Sequence, residues 1–345
     1  GIFAAELYDM DNSANLIGKN LEELRNIFMA AGYETKDPSL LAHNLYKKYG
    51  KPLSSIEAYP KSLRWFLEDN FSIEVLQPIL KLQSSDGTIK GLFESEGGKA
   101  FEAAWIPAAK RMTICVSSQA GCRFGCKFCS TGQHGFRGNL STFEILSQVF
   151  GLRKPFNHIV FMGMGEPLDS YQSVKKAVEI LNAWWGVSLA NRYITISTVG
   201  IFPELSKVIE ELKCNLAISL HSPFHEERKS IMPVESIYPI KEVIKMLKTK
   251  KFTGKRRLSF EYLLLGGFND SPLHAHETGR LLSGLRCHIN LIAYNSIAGA
   301  NFRRPCLRTI ENFREILNEY GLRVTIRISS GYDISAACGM MVGSK

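Results

Sequence analysis

Three cysteines lie close together in the first half of the chain, at Cys122, Cys126 and Cys129. Thiolates with this C-x3-C-x2-C spacing can bind three irons of a 4Fe-4S cluster and leave the fourth iron open to a substrate. A structural zinc site normally has four protein ligands, and His134 could supply the fourth. The spacing therefore predicts a metal centre. An open iron–sulfur cluster is favoured, and zinc is the alternative.

The region from residue 112 onward alternates between strand-like and helix-like patterns. Runs rich in β-forming residues predict seven strands, at 112–118, 158–164, 193–199, 215–221, 257–265, 288–295 and 322–328. Helical patterns fall between consecutive strands, near 142–152, 171–184, 203–212, 240–250, 274–285 and 308–320. Right-handed crossovers between such units give a parallel sheet. Seven strands without an eighth unit indicate an open, partial barrel.

Polar, small and reactive residues follow the carboxyl ends of these predicted strands. The first strand leads into the cysteine motif, and the later strand ends carry Gly165, Glu166, Ser197, Ser219, His221, Asn295 and Cys338. In barrels of parallel strands the chemistry takes place at that rim. The convergence of these residue types predicts an active-site floor there.

The N-terminal third has a different organisation. Residues 17–71 have the pattern of short helices, the first of them capped by Asn20. Four β-rich runs separated by turn residues then predict an antiparallel meander, at 75–83, 89–95, 100–106 and 112–118. We therefore expect an α/β protein with a small helical domain at 1–74, a β extension at 75–111 and the partial barrel at 112–345.

Composition excludes several classes of protein. Of 345 residues, 45% are hydrophobic and 22% charged, which excludes a largely disordered chain. No run approaches the about 18 apolar residues of a membrane-spanning helix. The first twenty residues, with three acids and one base, do not resemble a signal peptide. Eight cysteines are too few for a disulfide scaffold, so we expect a cytoplasmic protein.

The charge distribution indicates a class of partner. The net charge of +9 arises from residues 101–345, which carry +12, whereas residues 1–100 carry −3. A basic field attracts polyanions, nucleic acid first. A basic surface that contacts only solvent would give the same net charge. Candidate phosphate contacts are Arg123, Lys127, Arg137, Lys255, Arg256, Arg257, Arg303 and Arg304.

Longer motifs surround the cysteines and the later strand ends. They are residues 113–122 (TICVSSQAGC), 129–133 (CSTGQ), 161–168 (FMGMGEPL) and 333–339 (DISAACG). With these motifs the chain resembles the RlmN/Cfr family of the radical-SAM superfamily over nearly its whole length. The resemblance implies a radical-SAM barrel that binds a 4Fe-4S cluster and S-adenosylmethionine (SAM). It also implies an enzyme that methylates a ring carbon of an adenosine in the peptidyl-transferase centre of 23S rRNA.

The ring carbons of adenine are poor nucleophiles, so direct polar methyl transfer is implausible. The resemblance implies a radical route with two SAM molecules per turnover. One SAM methylates a cysteine, and the second yields a radical that abstracts hydrogen from that methyl group. The carbon then adds to adenine and forms a transient protein–RNA adduct. A base removes the ring proton, and a second cysteine releases the product by forming a disulfide.

The resemblance also assigns roles to residues. Cys338 matches the methyl-carrying cysteine, Cys115 the resolving cysteine and Glu102 the proton acceptor. Without the family, Glu102 would be interpreted as a solvated strand residue and Cys115 as a small core residue. The positions that match cluster ligands are Cys122, Cys126 and Cys129. Those that match SAM contacts are Gly165, Glu166, Ser197, Ser219, Leu220, His221 and Asn295.

The sequence leaves alternatives open. RlmN-type methylation at C2 is favoured over Cfr-type methylation at C8, because the motifs around 131–136 and 301–305 are RlmN-like, whereas Ser222 is closer to Cfr. The family allows tRNA as a second substrate, beside the anticodon, and a flavodoxin-type electron donor. We expect a monomer with no membrane partner. Two hypotheses from other functional classes are a radical-SAM activase that acts on a protein substrate and a non-enzymatic zinc protein that binds RNA.

Overall fold

The computed structural model describes residues 15–252 and 254–342. Within these ranges the chain forms twelve strands and eleven α-helices. The strands are β1 (Leu80–Gln83), β2 (Ile89–Glu94), β3 (Ala100–Ala108), β4 (Arg111–Val116), β5 (Gln119–Gly121), β6 (Phe136–Asn139), β7 (His158–Phe161), β8 (Ile194–Thr198), β9 (Asn215–Ser219), β10 (Leu258–Leu264), β11 (His288–Ala293) and β12 (Arg323–Arg327).

Three helices precede the strands, and the other eight lie among them. The helices are α1 (Leu21–Ala30), α2 (Ser39–Tyr46), α3 (Lys61–Asn70), α4 (Ser130–Gln133), α5 (Thr142–Gly151), α6 (Tyr171–Asn182), α7 (Glu204–Glu211), α8 (His225–Ile231), α9 (Ile240–Thr249), α10 (Pro272–Leu282) and α11 (Leu307–Glu319). Local sequence fixes several starts. Asn20 and Ser141 each form a capping box with the glutamate three residues later, which satisfies two backbone N–H groups at the helix entrance.

Ten of the strands form one sheet in the order β1-β2-β3-β4-β7-β8-β9-β10-β11-β12. The first four pair antiparallel, and from β4 to β12 every pairing is parallel. Since β1 and β12 are the two edges of this sheet, the barrel is open. The predicted α/β architecture, with a meander leading into a partial barrel of seven parallel strands, is confirmed.

Some details of the fold differ from the sequence prediction. The first meander strand starts at Leu80 rather than at residue 75, because Pro78 lacks an N–H group for strand pairing. The β5–β6 hairpin around the cysteine loop was not predicted. At the end of β5, Gly121 has φ +77°, and a Cβ there would lie 1.8 Å from the Gly135 carbonyl oxygen, so only glycine fits. The short helix α8 was also missed.

A continuous hydrophobic core joins the N-terminal helices to the barrel. Buried residues from Leu16 to Met341 belong to the same cluster. Tyr46 of α2 stacks on Phe150 of α5, and its hydroxyl donates to the Lys19 carbonyl at 2.6 Å. Because the core is shared, the division at 74 and 111 stays a prediction. Residues 1–14, on which the signal-peptide argument partly rests, lie outside the described residues.

Among the described residues, no helix combines the length and apolarity needed to cross a bilayer.

Candidate active site

The carboxyl ends of the parallel strands surround a cavity of about 180 Å³. The predicted residues that line this cavity are Cys122, Cys126, Cys129, Gly165, Glu166, Ser197, Ser219, His221, Asn295 and Cys338. The structure thus brings together residues from four strand ends, the cysteine loop and the C-terminal segment. Of the remaining predicted residues, Leu220, Cys115 and Glu102 lie outside this cavity's lining.

The cysteine loop is held in place by backbone hydrogen bonds on both sides. The Cys122 N–H donates to the Gly135 carbonyl at 3.0 Å, and the Lys127 N–H donates to the Ile231 carbonyl at 3.0 Å. Burial raises the pKa of the Cys122 thiol to about 12 and that of Cys126 well above its usual value. These are thiols that a metal must deprotonate on binding, so metal affinity would be coupled to proton release.

The donor set fits a cluster with one open iron. The three cysteines all line the cavity, although no three His, Cys, Asp or Glu side chains among the described residues converge on a point where they could hold a single metal ion. A 4Fe-4S cluster takes one thiolate on each of three separate irons, so it does not need the thiolates to converge in this way. His134, the candidate fourth ligand for zinc, donates its Nδ1–H to the Ser130 carbonyl at 2.7 Å and is not among the residues that line the cavity. The arrangement favours the 4Fe-4S interpretation over a closed zinc site.

Asn295 carries a buried donor without a protein partner. Its Oδ1 accepts from the Ser329 hydroxyl at 2.9 Å and from Arg304 Nη1 at 3.3 Å. These bonds fix the amide orientation, and they leave Nδ2 with no partner among the described residues, although the side chain is only 3% exposed. An orphaned donor at a cavity wall fits a polar ligand with an acceptor group, such as the carboxylate or ribose of SAM.

His221 is held as a neutral imidazole. Burial lowers its pKa to about 3, and nearby Arg228 acts in the same direction. Its Nδ1 accepts from the Leu263 N–H at 2.9 Å, so the ring proton resides on Nε2. His221 can therefore offer the cavity one N–H donor at any physiological pH.

Glu166 is the acidic group of this cavity nearest to the end of β7. Its two oxygens accept from the Leu168 N–H at 3.0 Å and the Val199 N–H at 2.9 Å. Burial nevertheless raises its pKa to about 7. A bound ammonium group would favour the charged carboxylate, which gives the cavity an acceptor suited to an amino-acid moiety.

Leu220 takes part in the structure of the site through its backbone carbonyl, which binds a buried arginine, rather than through its side chain. Its carbonyl accepts from Arg228 Nε at 2.9 Å, and the Ser219 carbonyl accepts from Nη2 at 2.8 Å. Arg228, which is 0% exposed, also forms an ion pair with Glu235. This buried pair therefore fixes the end of β9, where Ser219 and His221 face the cavity. Sequence reasoning missed it because charged residues are normally interpreted as solvated.

Removing one partner of this buried pair should be costly. We expect Glu235→Ala to lower the free energy of unfolding by about 3–5 kcal/mol, because Arg228 would be left charged and unpaired in the core. Urea denaturation measures the effect. The matched control is Glu242→Ala, which breaks a surface pair with Lys245 and should cost less than about 1 kcal/mol. Equal effects of the two variants would contradict the assigned role.

A second cavity of about 240 Å³ adjoins the first, and Cys115 and Cys338 both line it. Cys338 lines both cavities and is exposed, although the surrounding walls raise the pKa of its thiol by desolvation. Burial raises the pKa of Cys115 to about 12, and the neighbouring Cys338 adds to this effect. The two cysteines predicted to form a transient disulfide therefore face one space.

Glu102 lies on the same face of the sheet as Cys115, since Ala104 pairs with Cys115 and Glu102 is two residues along β3. Its carboxylate forms an ion pair with Lys90 at 3.1 Å and accepts from the Val342 N–H at 3.2 Å. At 1% exposure it is fully buried, which corrects the pattern-based interpretation as a solvated residue. It does not line either cavity described above.

Two charged residues inside the barrel were not predicted. Arg327 of β12 lines both cavities and lies 3.5 Å from Glu261 of β10, which lines the first. Burial raises the pKa of Glu261, and Arg327 opposes this rise. The signal was present in the sequence as charged residues inside predicted strands, but the pattern does not show that they point inward.

Some predicted phosphate contacts already have protein partners. Arg123 forms an ion pair with Asp169 at 2.6 Å and lies over the Phe136 ring at 4.0 Å. Arg304 is turned toward Asn295, and Arg256 donates to the Cys214 carbonyl at 2.5 Å. Arg256 is thus a structural residue of the β9–β10 region, whereas Arg123 keeps an exposed side chain at the cluster loop.

Comparisons with known proteins agree with this geometry. Residues 116–277 match the Radical SAM superfamily. A probable dual-specificity RNA methyltransferase RlmN of Parabacteroides distasonis is 40% identical over 338 residues, covering 97% of this chain and 98% of that protein. Its counterpart in Prochlorococcus marinus is 38% identical over 348 residues, with coverages of 97% and 96%.

A crystal structure of a radical SAM methyltransferase from Sphaerobacter thermophilus superposes with a TM-score of 0.88 at 37% identity, covering 96% of this chain and 99% of that one. The similarity includes the N-terminal helices and the meander as well as the barrel. The family predicted from the motifs is confirmed: this chain belongs to the RlmN family of radical-SAM RNA methyltransferases, and it is an enzyme.

Proposed function

We propose that this enzyme methylates C2 of an adenosine in the peptidyl-transferase centre of 23S rRNA, and of an adenosine beside the anticodon of tRNA. The relatives are named dual-specificity RNA methyltransferases. The observation that carries the proposal is the pair Cys115 and Cys338, which share a cavity directly beside the cavity of the three cluster cysteines. A radical-SAM enzyme acting on protein would not need this pair.

In this proposal Cys122, Cys126 and Cys129 hold the 4Fe-4S cluster. Glu166, His221 and Asn295 orient SAM beside it, and Gly165, Ser197 and Ser219 line the same pocket. Leu220 acts from behind this lining, where its carbonyl anchors Arg228. When bound, the cluster and SAM supply the radical that activates an unreactive C–H bond. Water displaced from this space by the bound groups would no longer reach the reactive carbon, which would limit side reactions.

Two SAM molecules are used per turnover. The Cys338 sulfur takes a methyl group from the first and then presents it to the adenine ring. After the carbon has bonded to the ring, Glu102 accepts the ring proton. Radical addition leaves one unpaired electron on the adduct, which would return to the bound cluster once the ring proton has left. The Cys115 thiolate then attacks the Cys338 sulfur and the Cys338 carbon–sulfur bond breaks. Its electron pair stays on the carbon, which takes up one proton from solvent to complete the new methyl group. A Cys115–Cys338 disulfide remains, and an external reductant must return it to two thiols.

The same proposal includes the cellular setting. The enzyme acts as a monomer in the cytoplasm and receives single electrons from a flavodoxin-type donor. Its basic barrel, with Lys127, Arg137, Lys255, Arg257 and Arg303 exposed or partly exposed, contacts RNA phosphates. The target base must leave its stack to reach Cys338 in the second cavity, so protein-free or partly folded RNA is the expected substrate.

A nucleoside analysis tests the proposed function. Reconstituted protein, SAM and a reductant are incubated anaerobically with 23S rRNA fragments or tRNA, and digested nucleosides are separated by mass spectrometry. The proposal predicts 2-methyladenosine. A product that coelutes with 8-methyladenosine would replace C2 by C8 chemistry. SAM cleavage without any methylated adenosine would refute the RNA substrate.

Asn295 provides a local test of SAM binding. Asn295→Asp keeps the Oδ1 acceptor for Ser329 but replaces the orphaned donor with a second acceptor. Loss of a hydrogen bond to a charged ligand group costs about 1.5–3 kcal/mol, so we expect about 10- to 100-fold weaker SAM binding in equilibrium dialysis. Asn318→Asp, on the exposed face of α11, is the control. Unchanged affinity in Asn295→Asp would remove this residue from the SAM site.

A further inference from the structure

The segment that carries Cys338 has little regular structure of its own. Between β12 and residue 342 it contains one short 3-10 turn, at Tyr332–Ile334, flanked by Gly331 and Ser335 in left-handed conformations. Such a segment cannot fix the position of a side chain by its own backbone pairing. The position of Cys338 therefore depends on contacts with other parts of the fold.

The turn between β1 and β2 supplies a reciprocal pair of these contacts. From the turn, Asp86 Oδ2 accepts the Gly331 N–H at 2.9 Å, while its Oδ1 accepts the Thr88 N–H at 2.9 Å. From the segment, Asp333 accepts the Ser84 hydroxyl at 2.5 Å and the Ser85 N–H at 3.0 Å. Each side thus contributes one carboxylate to the backbone of the other.

The two surfaces are also in close packing contact. A Cβ on Gly331 would lie 2.9 Å from Thr88 Cγ2 and 2.7 Å from Ala336 Cβ, so there is no room for a side chain. Hydrogen bonds hold the pKa of Asp333 below its usual range. Burial opposes ionisation of Asp86, but the hydrogen bonds that its carboxylate accepts lower the pKa of Asp86 to about 2. Since both pKa values are depressed, the contribution of these charges to stability is present at neutral pH and is lost only as the pH falls toward them.

The opposite end of the segment is bound to the cluster loop. The Gly339 carbonyl accepts the Ser130 N–H at 2.7 Å, and the Met341 carbonyl accepts the Thr131 hydroxyl at 2.7 Å. The residues between these attachments and the β1–β2 turn include Cys338. The segment is therefore fixed at both ends, with the thiol between them facing the two cavities.

We propose that Asp86 and Asp333 are positioning residues that clamp the C-terminal segment to the β1–β2 turn and thereby place Cys338 opposite Cys115. The proposal rests on the proposed function in one respect, the role of Cys338 as methyl carrier. In this proposal the antiparallel meander contributes to the reaction, because the β1–β2 turn is one of the two anchors of the segment that carries Cys338.

If Cys338 is misplaced, SAM cleavage and RNA methylation, which the intact enzyme couples, should become separated. The SAM cavity is formed by the strand ends and the cysteine loop, with Cys338 and Gly339 of the segment in its lining, and it does not include Asp86 or Asp333. The Gly339 attachment to the cluster loop is left intact in clamp variants, so reductive cleavage of SAM should continue. Methylation of RNA should fall, because the methyl group would rarely meet the base. A variant that merely loses fold stability would lose both activities together.

The test combines a structural readout with a coupling ratio. Asp86→Asn and Asp333→Asn each replace one acceptor oxygen with a donor, and Asp333→Ala removes both acceptor oxygens. Hydrogen–deuterium exchange of the peptide covering residues 331–342 is measured in the whole protein. We expect about tenfold faster exchange for the Asn variants, the equivalent of one charged hydrogen bond, and more for Asp333→Ala. The control is Glu96→Gln in the neighbouring β2–β3 turn.

The ratio of 5′-deoxyadenosine to methylated adenosine is then measured with the loaded enzyme. It should rise at least tenfold in Asp86→Asn and Asp333→Ala and stay at the wild-type value in Glu96→Gln. Unchanged exchange and an unchanged ratio would overturn the clamp. If exchange accelerates but even the wild-type protein methylates no RNA, the clamp stands and the proposed function fails.

Discussion

Cys338→Ala is expected to abolish RNA methylation completely while reductive cleavage of SAM continues. The variant lacks the sulfur that carries the methyl group, but it keeps every residue of the SAM cavity except one wall position. Adenine carbon is too weak a nucleophile to take the methyl group directly from a sulfonium. Loss of the carrier therefore removes the only route in the proposed mechanism.

The measurement follows methylated adenosine and 5′-deoxyadenosine in the same anaerobic reaction. Cys306→Ala is the matched control, because Cys306 is also exposed but lies at the start of α11 and lines neither cavity. It should retain wild-type methylation. Methylated RNA from Cys338→Ala would eliminate the methyl-cysteine route.

Cys115→Ala is expected to stop the reaction one stage later, with protein and RNA joined covalently. Cys338 can still accept and transfer its carbon, but nothing attacks its sulfur to break the bond. Cys115 and Cys338 line one cavity, so the missing attack is local. Denaturing gel electrophoresis with labelled RNA should show most of the reacted enzyme as an adduct that ribonuclease trims.

Two variants control this result. Cys287→Ala removes another buried cysteine, outside the linings of both cavities, and should give released product without an adduct. The double variant Cys115→Ala/Cys338→Ala should give neither product nor adduct. If Cys115→Ala turned over with free product, Cys115 would have no part in resolution.

The rim of the active site could be predicted from sequence because its determinants are local. Strand periodicity locates the ends of β7, β8, β9 and β11, and the connection rules bring those ends to one side. The cysteine spacing is likewise local. Placement of Gly165, Ser197, Ser219 and Asn295 at one cavity follows from these two facts.

Other features depend on contacts between distant segments and could not be predicted. The Arg228–Glu235 pair is stable only because it is buried, and burial depends on the packing of α8 against β9. The contacts of Asp86 and Asp333 join residues about 250 positions apart. Nothing in the sequence around either residue indicates which distant segment it contacts. The burial of Glu102 follows from the register of β2 on β3, which brings Lys90 beside it.

Deuterium tracing tests the central claim most directly, that the methyl carbon reaches RNA through Cys338 by hydrogen abstraction. The enzyme, purified with an unmethylated Cys338, is supplied with SAM that carries a trideuterated methyl group. The account predicts methyladenosine with two deuterium atoms in its methyl group, and one deuterium in 5′-deoxyadenosine, because one is abstracted before the carbon joins the ring. Methyladenosine that retains all three deuterium atoms, with none in 5′-deoxyadenosine, would mean direct transfer and would contradict the account.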